Sequence, residues 1–439
     1  MKFNQLFPQQ SRKVQLRRSI PDIKQLAPVM KFAVPQLDRR QARLSRAADV
    51  EDLRVIARRR TPRAAFDYVD GAALAEVTAD RTREDFLACE LIPHVLSGCE
   101  EVDLRTQVCG QDSALPFGIA PTGFTRFMHS EGEDAGASAA ADAGIPFTLS
   151  TMGTRSIEEV AAASTRNRSN DGTNIPNNWF QLYLWKDREA SKELLDRAKR
   201  EGFSTLVVTV DTPVAGQRLR DVRNGMRIPP ALSLKTVFDA SYRPEWWFNF
   251  LTTDPLTFAS LSDSTGDLPS LINAMFDPRL NLEDLQWIRA HWDGPLLVKG
   301  ILTGADARRV LGAGADGVVV SSHGGRQLDR SLVPLRQLAE VADAVAEVSQ
   351  QQGRRLEVLY DSGIRSGTDI AIALALGADF VLVGRAYLYG LMAGGREGVD
   401  RLIQLLADEL RTSCHLLGVS GVHEIGREHI RVPWEINAK

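Results

Sequence analysis

Cysteine is scarce in this sequence, with four in 439 residues. Cys89, Cys99, Cys109 and Cys414 lie far apart and form no CxxC pair. This spacing excludes a zinc cluster and a disulfide framework as the basis of the fold. Single, widely separated cysteines are typical of reduced thiols in a cytoplasmic compartment. We therefore predict four packing residues and no metal site.

Long apolar runs are also missing. No stretch of about 18 apolar residues, the length that spans a bilayer, occurs anywhere in the chain. The opening segment MKFNQLFPQQSRKVQLRRSIPDIKQ lacks the continuous apolar core of a secretory signal. We therefore expect a protein that is neither exported nor membrane-spanning.

An excess of one charge is absent too, because 53 Lys and Arg stand against 56 Asp and Glu. This balance argues against a dedicated nucleic-acid binder. Charge is nevertheless uneven, since residues 1–50 hold eleven Lys or Arg and three Asp, a local balance of +8. We assign 1–48 as a basic N-terminal arm, which is either a solvated tail or a patch that contacts anionic lipid.

What the chain does contain is a repeated alternation of short apolar strands and amphipathic helical stretches. The predicted strands are 115–121, 146–150, 179–185, 205–211, 295–300, 317–322, 356–361 and 380–385. Strands that are apolar throughout and alternate with helices predict a parallel sheet covered on both faces. Eight such units predict an α/β fold of the (β/α)8 TIM-barrel type.

The segments around the predicted barrel complete the domain. Asp49 is a helix cap before apolar positions at helical spacing, so we predict a helical N-terminal lead-in over 50–95. The barrel domain then covers 49–430, with a C-terminal tail at 431–439. A long insertion, 215–292, follows strand 4.

Four aromatic residues are concentrated in that insertion, at Trp246, Trp247, Phe248 and Phe250. A long aromatic loop in a compact domain is usually functional or disordered. It either packs against the barrel or a neighbouring subunit, or dips into a membrane interface. The sequence leaves both alternatives open.

Polar side chains stand at or just after the predicted strand ends, where the active sites of such barrels lie. They are Thr122, Ser150, Gln181, Tyr183, Thr209, Asp211, Lys299, Ser321, His323, Asp361 and Arg385. Strands 7 and 8 end in YDSGIRSGTD and LVGRA, each with glycine near arginine and a helical pattern after it. Such loops favour a phosphate-bearing cofactor or substrate, with ordinary turn geometry as the alternative.

Three charged residues suggest acid–base chemistry at these ends. Lys299 ends an apolar strand, so it either faces a negative partner or extends to the surface. A lone histidine such as His323 is more often structural, but Asp211 ends a nearby strand and Arg326 follows three residues later. A carboxylate that orients an imidazole is the usual support of a general base, and arginine suits a substrate carboxylate.

The segment SSHGGRQLD, 321–329, resembles the signature of FMN-dependent α-hydroxy acid oxidases and dehydrogenases. The similarity extends over FDYVDGAA, GIAPTGFTRFMHSEGE, WFQLY, TVDTPVAGQRLRDVRNG, LVKG, DSGIRSGTD and GRAYLYGLMAGG, in family order from about residue 45 to 430. Within the family, the chain is most similar to quinone-linked L-lactate dehydrogenases of the bacterial type.

This resemblance implies roles for the residues at the barrel mouth. His323 is implied to take the α-hydroxyl proton while hydride passes to flavin N5, and Asp211 to stabilise the imidazolium. Lys299 would neutralise the flavin N1 and O2 edge. Tyr183 is implied to form a hydrogen bond near the reacting oxygen of the substrate. The implied carboxylate ligands are Tyr68, Arg218 and Arg326; the implied FMN contacts are Pro121, Thr122, Gly123, Ser150, Gln181, Thr209, Lys299, Ser321, Asp361, Ser362, Gly363, Arg365, Gly384 and Arg385.

Three positions depart from the family pattern. Ser322 stands where the family usually has asparagine, Ser362 where many members have glycine, and Ala72 where glycine is common. None removes a group that the chemistry needs. Ser322 lies beside the predicted base, so a serine in place of the family's asparagine affects the expected substrate preference more than the expected type of reaction.

The resemblance implies oxidation of a small L-2-hydroxy acid, L-lactate first, to the 2-oxo acid. Quinone is the expected electron acceptor, and the enzyme is expected to lie at the inner face of the cell membrane. The expected oligomeric state is a homotetramer. The alternatives are an oxygen-using 2-hydroxy acid oxidase and a mandelate-type dehydrogenase. The carboxylate ligands argue against an FMN isomerase, and His323 with Lys299 argues against a flavin-binding scaffold without catalysis.

Overall fold

The computed structural model describes residues 37–165, 176–224, 238, 241–254, 256 and 277–436. The chain divides into two compact units, 1–42 and 43–439. Most of the predicted basic arm lies outside the described residues. The second unit contains the barrel and every predicted site residue.

Eight parallel strands close into a barrel in sequence order, and the last pairs with the first. They are β1 Phe117–Thr122, β2 Phe147–Ser150, β3 Asn178–Leu182, β4 Thr205–Thr209, β5 Leu296–Ile301, β6 Gly317–Val320, β7 Glu357–Tyr360 and β8 Phe380–Val383. The predicted (β/α)8 barrel is therefore confirmed, with each strand within three residues of its predicted ends.

Side chains fill the interior of the barrel. The apolar residues that meet there come from neighbouring and opposite strands: Val207, Leu297, Val319, Leu359, Phe380 and Trp179, all at most 1% exposed. Their strand neighbours, such as Leu206 and Val208, point outward into the core beneath the helices. Because the interior is packed, the space for a ligand lies at the carboxyl ends of the strands.

A helix follows each strand around the barrel. In order they are Gly132–Asp142, Ile157–Thr165, Arg188–Arg200, Leu282–His291, Gly304–Gly312, Pro334–Gln352, Gly367–Ala375 and Arg385–Leu417. Shorter helical segments are Thr125–Met128, Leu219–Arg223, Pro244–Thr252, Val422–Glu424, Arg427–His429 and Pro433–Ile436, and His323–Gly325 forms one left-handed turn. Helix Leu282–His291 falls inside the predicted insertion and is the regular helix between β4 and β5.

The lead-in is helical, as predicted, but its helices end at Ala88. The helices are Arg39–Leu44, Val50–Arg60, Arg63–Asp70 and Val77–Ala88. Asp49 caps the second of them, accepting a hydrogen bond from Asp52 N at 2.8 Å. Strand Glu90–Leu91 then forms an antiparallel pair with Ile430–Arg431, so the C-terminal end of the domain packs beside the N-terminal lead-in. A hairpin, Thr106–Val108 with Gln111–Ser113, completes the strands.

Helix Pro244–Thr252 carries the aromatic residues of the insertion. Trp246 stacks on Phe250 with ring centroids 4.8 Å apart, and its Nε1 donates to Phe127 O at 3.2 Å. Phe248 and Leu251 are 68% and 71% exposed. One face of the helix therefore packs against the barrel and the other is open. No helix within the described ranges is long and apolar enough to cross a membrane.

All four cysteines are free thiols. Cys109 and Cys414 are buried, and the other two are half-buried. Burial raises the pKa of Cys89 to about 12 and that of Cys414 to about 11. Thiols with such values are unreactive, which agrees with the predicted packing role.

Candidate active site

After β6 the chain turns through three consecutive residues in the left-handed region. His323, Gly324 and Gly325 have φ of 56°, 64° and 73°. A Cβ on Gly325 would lie 2.9 Å from Ala79 N, closer than real Cβ contacts. The two glycines therefore allow a turn that a side chain would obstruct, and His323 adopts an uncommon backbone conformation at the barrel mouth.

His323 is paired with a carboxylate. Its Nδ1 lies 3.0 Å from Oδ1 of Asp211, just beyond β4. Burial alone would raise the pKa of Asp211, but its electrostatic interaction and hydrogen bond with His323, followed by the charge of Lys299, hold it below its usual value. The ionised carboxylate fixes the proton on Nδ1 and leaves Nε2 as the basic nitrogen. This is the arrangement of a general base.

Two guanidinium groups flank one aromatic ring in the same site. The Cζ atoms of Arg218 and Arg326 lie 5.1 and 5.0 Å from the Tyr68 ring centroid. Asp221 binds Nε of Arg218 at 2.6 Å, and Nη1 of Arg326 donates to the carbonyls of Tyr68 and Gly71. Among the described residues, no protein acceptor binds the other N–H groups of either arginine.

The electrostatics of this pair favour an anion. Burial, followed by repulsion from Arg218, lowers the pKa of Arg326 to about 10. A carboxylate between the two groups would relieve the repulsion and could accept two parallel hydrogen bonds. The geometry therefore supports the predicted carboxylate site.

Lys299 is buried, at 4% exposed, and faces a negative partner, which is the first of the two alternatives that the sequence left open. Its Nζ lies 2.9 Å from Asp361 Oδ2 and donates to Ser321 Oγ at 2.8 Å. Burial alone would lower the pKa of Lys299, but the charges of Asp361 and Asp211 outweigh it and raise the pKa above its usual value. The ammonium therefore stays charged in the site.

Tyr183 lies just past β3 and lines the same cavity. Burial, and then the charge of Asp211, raise its pKa above the usual tyrosine value. The side chain is therefore a neutral phenol that can donate a hydrogen bond.

These side chains line one cavity of about 230 Å³ at the barrel mouth. The predicted residues on its wall are Tyr68, Pro121, Thr122, Gly123, Ser150, Tyr183, Arg218, Lys299, His323, Arg326, Asp361, Ser362, Gly384 and Arg385. Asp211 and Ser321 lie behind His323 and Lys299. Gln181 and Thr209 are buried in strands below the wall.

Two predicted cofactor residues lie farther from the cavity. Gly363 faces the lead-in, where its carbonyl accepts a hydrogen bond from Arg83 at 2.7 Å. The Arg365 guanidinium is 3.6 Å from Glu51 and lies over the Tyr389 ring. Neither contributes to the cavity wall in this structure.

Buried polar atoms around the cavity fit a polar, planar cofactor. Gln181 accepts a hydrogen bond from Ser150 through Oε1 at 2.9 Å, whereas its Nε2 has no partner in the described part of the chain. Thr209 Oγ1 and Arg385 Nε are likewise buried without partners among those residues. Unpaired buried groups are costly, so a ligand that bonds them is expected.

The β8 end of the cavity suits a phosphate. Arg385 begins the long helix Arg385–Leu417, after Gly384 at its N-cap. Burial, and then the charge of the neighbouring Arg365, lower the pKa of Arg385, so an anion beside its guanidinium would be favourable. A helix N-terminus with an arginine is a ready anion site. The residues present therefore fit the phosphate and the ring of FMN.

Several wall residues were not predicted: Val69, Ala120, Met152, Thr212, Ala215, Gly324, Gln327 and Leu388. All but Met152 lie within the quoted motifs, and Met152 is two residues after Ser150. Apart from the polar residues Thr212 and Gln327, these side chains are apolar or absent and gave no chemical signal. Proximity to the strand ends was the signal that could have identified them.

The chain belongs to the FMN-dependent dehydrogenase family, whose model matches residues 57–432. It is therefore an FMN-dependent oxidoreductase of the α-hydroxy acid class. A Mycobacterium tuberculosis protein provisionally named L-lactate dehydrogenase is 51% identical over 94% of this chain and 96% of its own length. An L-lactate dehydrogenase from Ectopseudomonas mendocina is 43% identical over 85% of this chain and 96% of its own length.

Solved structures are similar over most of the chain. A crystal structure described as the monotopic membrane protein (S)-mandelate dehydrogenase has a TM-score of 0.81 and 35% identity, covering 88% of this chain and 100% of its own. A mandelate oxidase variant with (S)-mandelic acid has a TM-score of 0.72 and 36% identity, covering 88% of this chain and 98% of its own.

Proposed function

We propose that this enzyme oxidises a small L-2-hydroxy acid, L-lactate first, to the 2-oxo acid. The observation that carries the proposal is the meeting of the His323–Asp211 pair with Arg218 and Arg326 around one cavity. A base beside a carboxylate-binding site suits an acid that carries its hydroxyl on the carbon attached to the carboxylate. The choice of L-lactate is supported by relatives at 51% and 43% identity.

In the proposed mechanism, Arg218, Arg326 and the Tyr68 hydroxyl hold the substrate carboxylate. Nε2 of His323 takes the proton of the α-hydroxyl, and Asp211 stabilises the imidazolium that forms. Tyr183 donates a hydrogen bond near the reacting oxygen. Bound FMN supplies the acceptor for the hydride that leaves C2, which becomes the carbonyl carbon of the product.

The cofactor contacts that we propose form two groups. Ring contacts are Pro121, Thr122, Gly123, Ser150, Gln181 and Thr209, with Lys299 and Ser321 at the negative edge. Ribityl and phosphate contacts are Asp361, Ser362, Gly363, Arg365, Gly384 and Arg385. For Gly363 and Arg365 the proposal requires a shift of the β7 loop toward the cavity.

We propose that electrons pass to a quinone at a membrane surface. Phe248 and Leu251 offer exposed apolar side chains on a helix anchored through Trp246. The similar (S)-mandelate dehydrogenase is described as a monotopic membrane protein. Apolar side chains at an interface, with basic residues nearby, bind anionic membranes.

Similar mandelate oxidases make oxygen the second candidate acceptor, and mandelate the second candidate substrate. One experiment separates these functions: L-lactate, glycolate, (S)-mandelate and a longer 2-hydroxy acid are each assayed with a quinone analogue and with oxygen. We expect L-lactate with the quinone analogue to give the highest kcat/KM. Faster turnover of (S)-mandelate, or peroxide formation that exceeds quinone reduction, would refute the corresponding part of the proposal.

A further inference from the structure

The hydroxyl of Ser362 has an unusual set of partners. It donates to Asp361 Oδ1 at 2.9 Å, and it accepts from the backbone N–H groups of Ser322 at 3.2 Å and Gly324 at 3.1 Å. The hydroxyl of Ser322 also donates to it over a longer distance, 3.3 Å. A serine hydroxyl has one proton and two lone pairs, so these protein partners use its full capacity. The hydroxyl therefore binds the backbone on both sides of His323.

Asp361 reaches the same backbone by a second route. Its other oxygen, Oδ2, is paired with Lys299 at 2.9 Å, and Lys299 donates to Ser321 Oγ. Ser321 Oγ in turn accepts the N–H of His323 at 3.0 Å. The two carboxylate oxygens thus hold the His323 turn through two separate chains of hydrogen bonds.

The turn needs this support because of its conformation. His323 has a positive φ, 56°, which is uncommon for a residue with a side chain. Ser362 itself has a φ of 88°, a conformation that glycine adopts more readily. A serine that retains such a conformation at a functional site offers something that glycine lacks, and here that is the hydroxyl.

We propose that Ser362 is a positioning residue for the base: its hydroxyl fixes the His323 turn against Asp361 and thereby aims the imidazole. This inference rests on the proposed role of His323. It adds a link between the cofactor side of the cavity, at the end of β7, and the base that follows β6.

The guanidinium of Arg326 has anchors outside this link, whereas its backbone N–H donates to His323 O at 3.3 Å. Arg326 is bound by the carbonyls of Tyr68 and Gly71, and Gly325 O accepts the N–H of Ala73 at 2.9 Å. Loss of the Ser362 hydroxyl should therefore disturb the imidazole more than the guanidinium. Catalysis and substrate binding then respond differently, which a general loss of structure would not produce.

The test compares Ser362→Gly holoenzyme with the wild type. Glycine removes the hydroxyl and tolerates φ of 88°, so the fold should be retained. The hydroxyl is engaged by protein groups, so Ser362 contacts FMN through its backbone, and the FMN content should also be retained. We expect kcat for L-lactate to fall about tenfold or more, because misplacement of a catalytic group is costly, while KM changes by less than about threefold. Hydrogen–deuterium exchange should be at least about tenfold faster in peptides covering 318–328 and unchanged elsewhere.

Ser362→Ala separates the hydroxyl from backbone strain. It loses the same hydroxyl but keeps a Cβ at the left-handed position, so it should show the same fall in kcat with a lower Tm. Ser366→Gly is the matched control, because its hydroxyl accepts from Asp369 N at 2.9 Å and does not contact the His323 turn. Its kcat and its exchange at 318–328 should equal those of the wild type.

Wild-type kcat or wild-type protection at 318–328 in Ser362→Gly would overturn the proposal. A defect in Ser362→Ala alone would do the same, since it would assign the effect to strain. The exchange measurement does not depend on which residue is the base. Failure of the role of His323 can therefore be distinguished from failure of the positioning by Ser362.

Discussion

Asp211→Asn tests the electrostatic support of the base most sharply. The asparagine oxygen can still accept a hydrogen bond from His323 Nδ1, so the substitution removes the charge and keeps the geometry. Two unit charges at the observed 3.0 Å interact by about 5 kcal/mol at an effective dielectric constant of about 20. If about half of the imidazolium charge has developed in the transition state, the loss is about 2.5 kcal/mol, or about 70-fold in rate.

The assay is stopped-flow measurement of anaerobic flavin bleaching at varied L-lactate concentration. The limiting rate should fall by roughly that factor, and the concentration for half-maximal rate should change little, because Arg218 and Arg326 are untouched. Asp85→Asn is the control, since Asp85 is a buried carboxylate paired with Arg336 at 2.6 Å, away from the cavity. A limiting rate within about threefold of wild type would refute the reasoning.

Three further predictions concern the carboxylate site, the membrane and acid stability. Arg326→Lys replaces a planar guanidinium, which can donate two parallel hydrogen bonds to a carboxylate, by an ammonium group that cannot. The KM for L-lactate should therefore rise about tenfold or more in steady-state assays, and an unchanged KM would contradict the role of Arg326 as a carboxylate ligand. Phe248→Ser with Leu251→Ser should reduce sedimentation with anionic vesicles but leave turnover with a soluble acceptor unchanged; equal sedimentation would exclude this helix as the contact. Burial would raise the pKa of Asp70, but Arg54, Tyr389 and Arg220 outweigh it and hold the pKa well below its usual value. The stability from Asp70 is therefore present above pH about 4 and lost as pH falls below that value. Chemical unfolding of Asp70→Asn should show a weaker dependence on acid pH than wild type, and parallel profiles would contradict this.

The sequence predicted the barrel because its signals are local. Strand 205–209 is buried at every position and is apolar at 206–208, and such an apolar run can be recognised without knowledge of distant residues. The predicted ends of strands 3 and 4, residues 185 and 211, lie beyond the observed ends at Leu182 and Thr209, because hydrophobic residues continue in the sequence after the ladder has ended.

The site residues were predictable where the residue type itself indicates a catalytic or binding role. His323, Asp211, Lys299 and Arg326 stand in motifs, and the structure brings all four together. The two-sided support of the His323 turn was not predictable, because it joins backbone N–H groups after β6 to a hydroxyl after β7. The position of Arg365 near Glu51 depends in the same way on a lead-in helix more than 300 residues away.

The measurement that tests the account most directly is anaerobic bleaching of the purified yellow protein by L-lactate, wild type against His323→Ala. Alanine removes the base and leaves Arg218, Arg326 and the FMN contacts in place. We predict that the variant retains its flavin, that L-lactate bleaches the wild type within seconds, and that the variant stays yellow. Rapid bleaching of His323→Ala with its flavin content intact would contradict the assignment of His323 as the base.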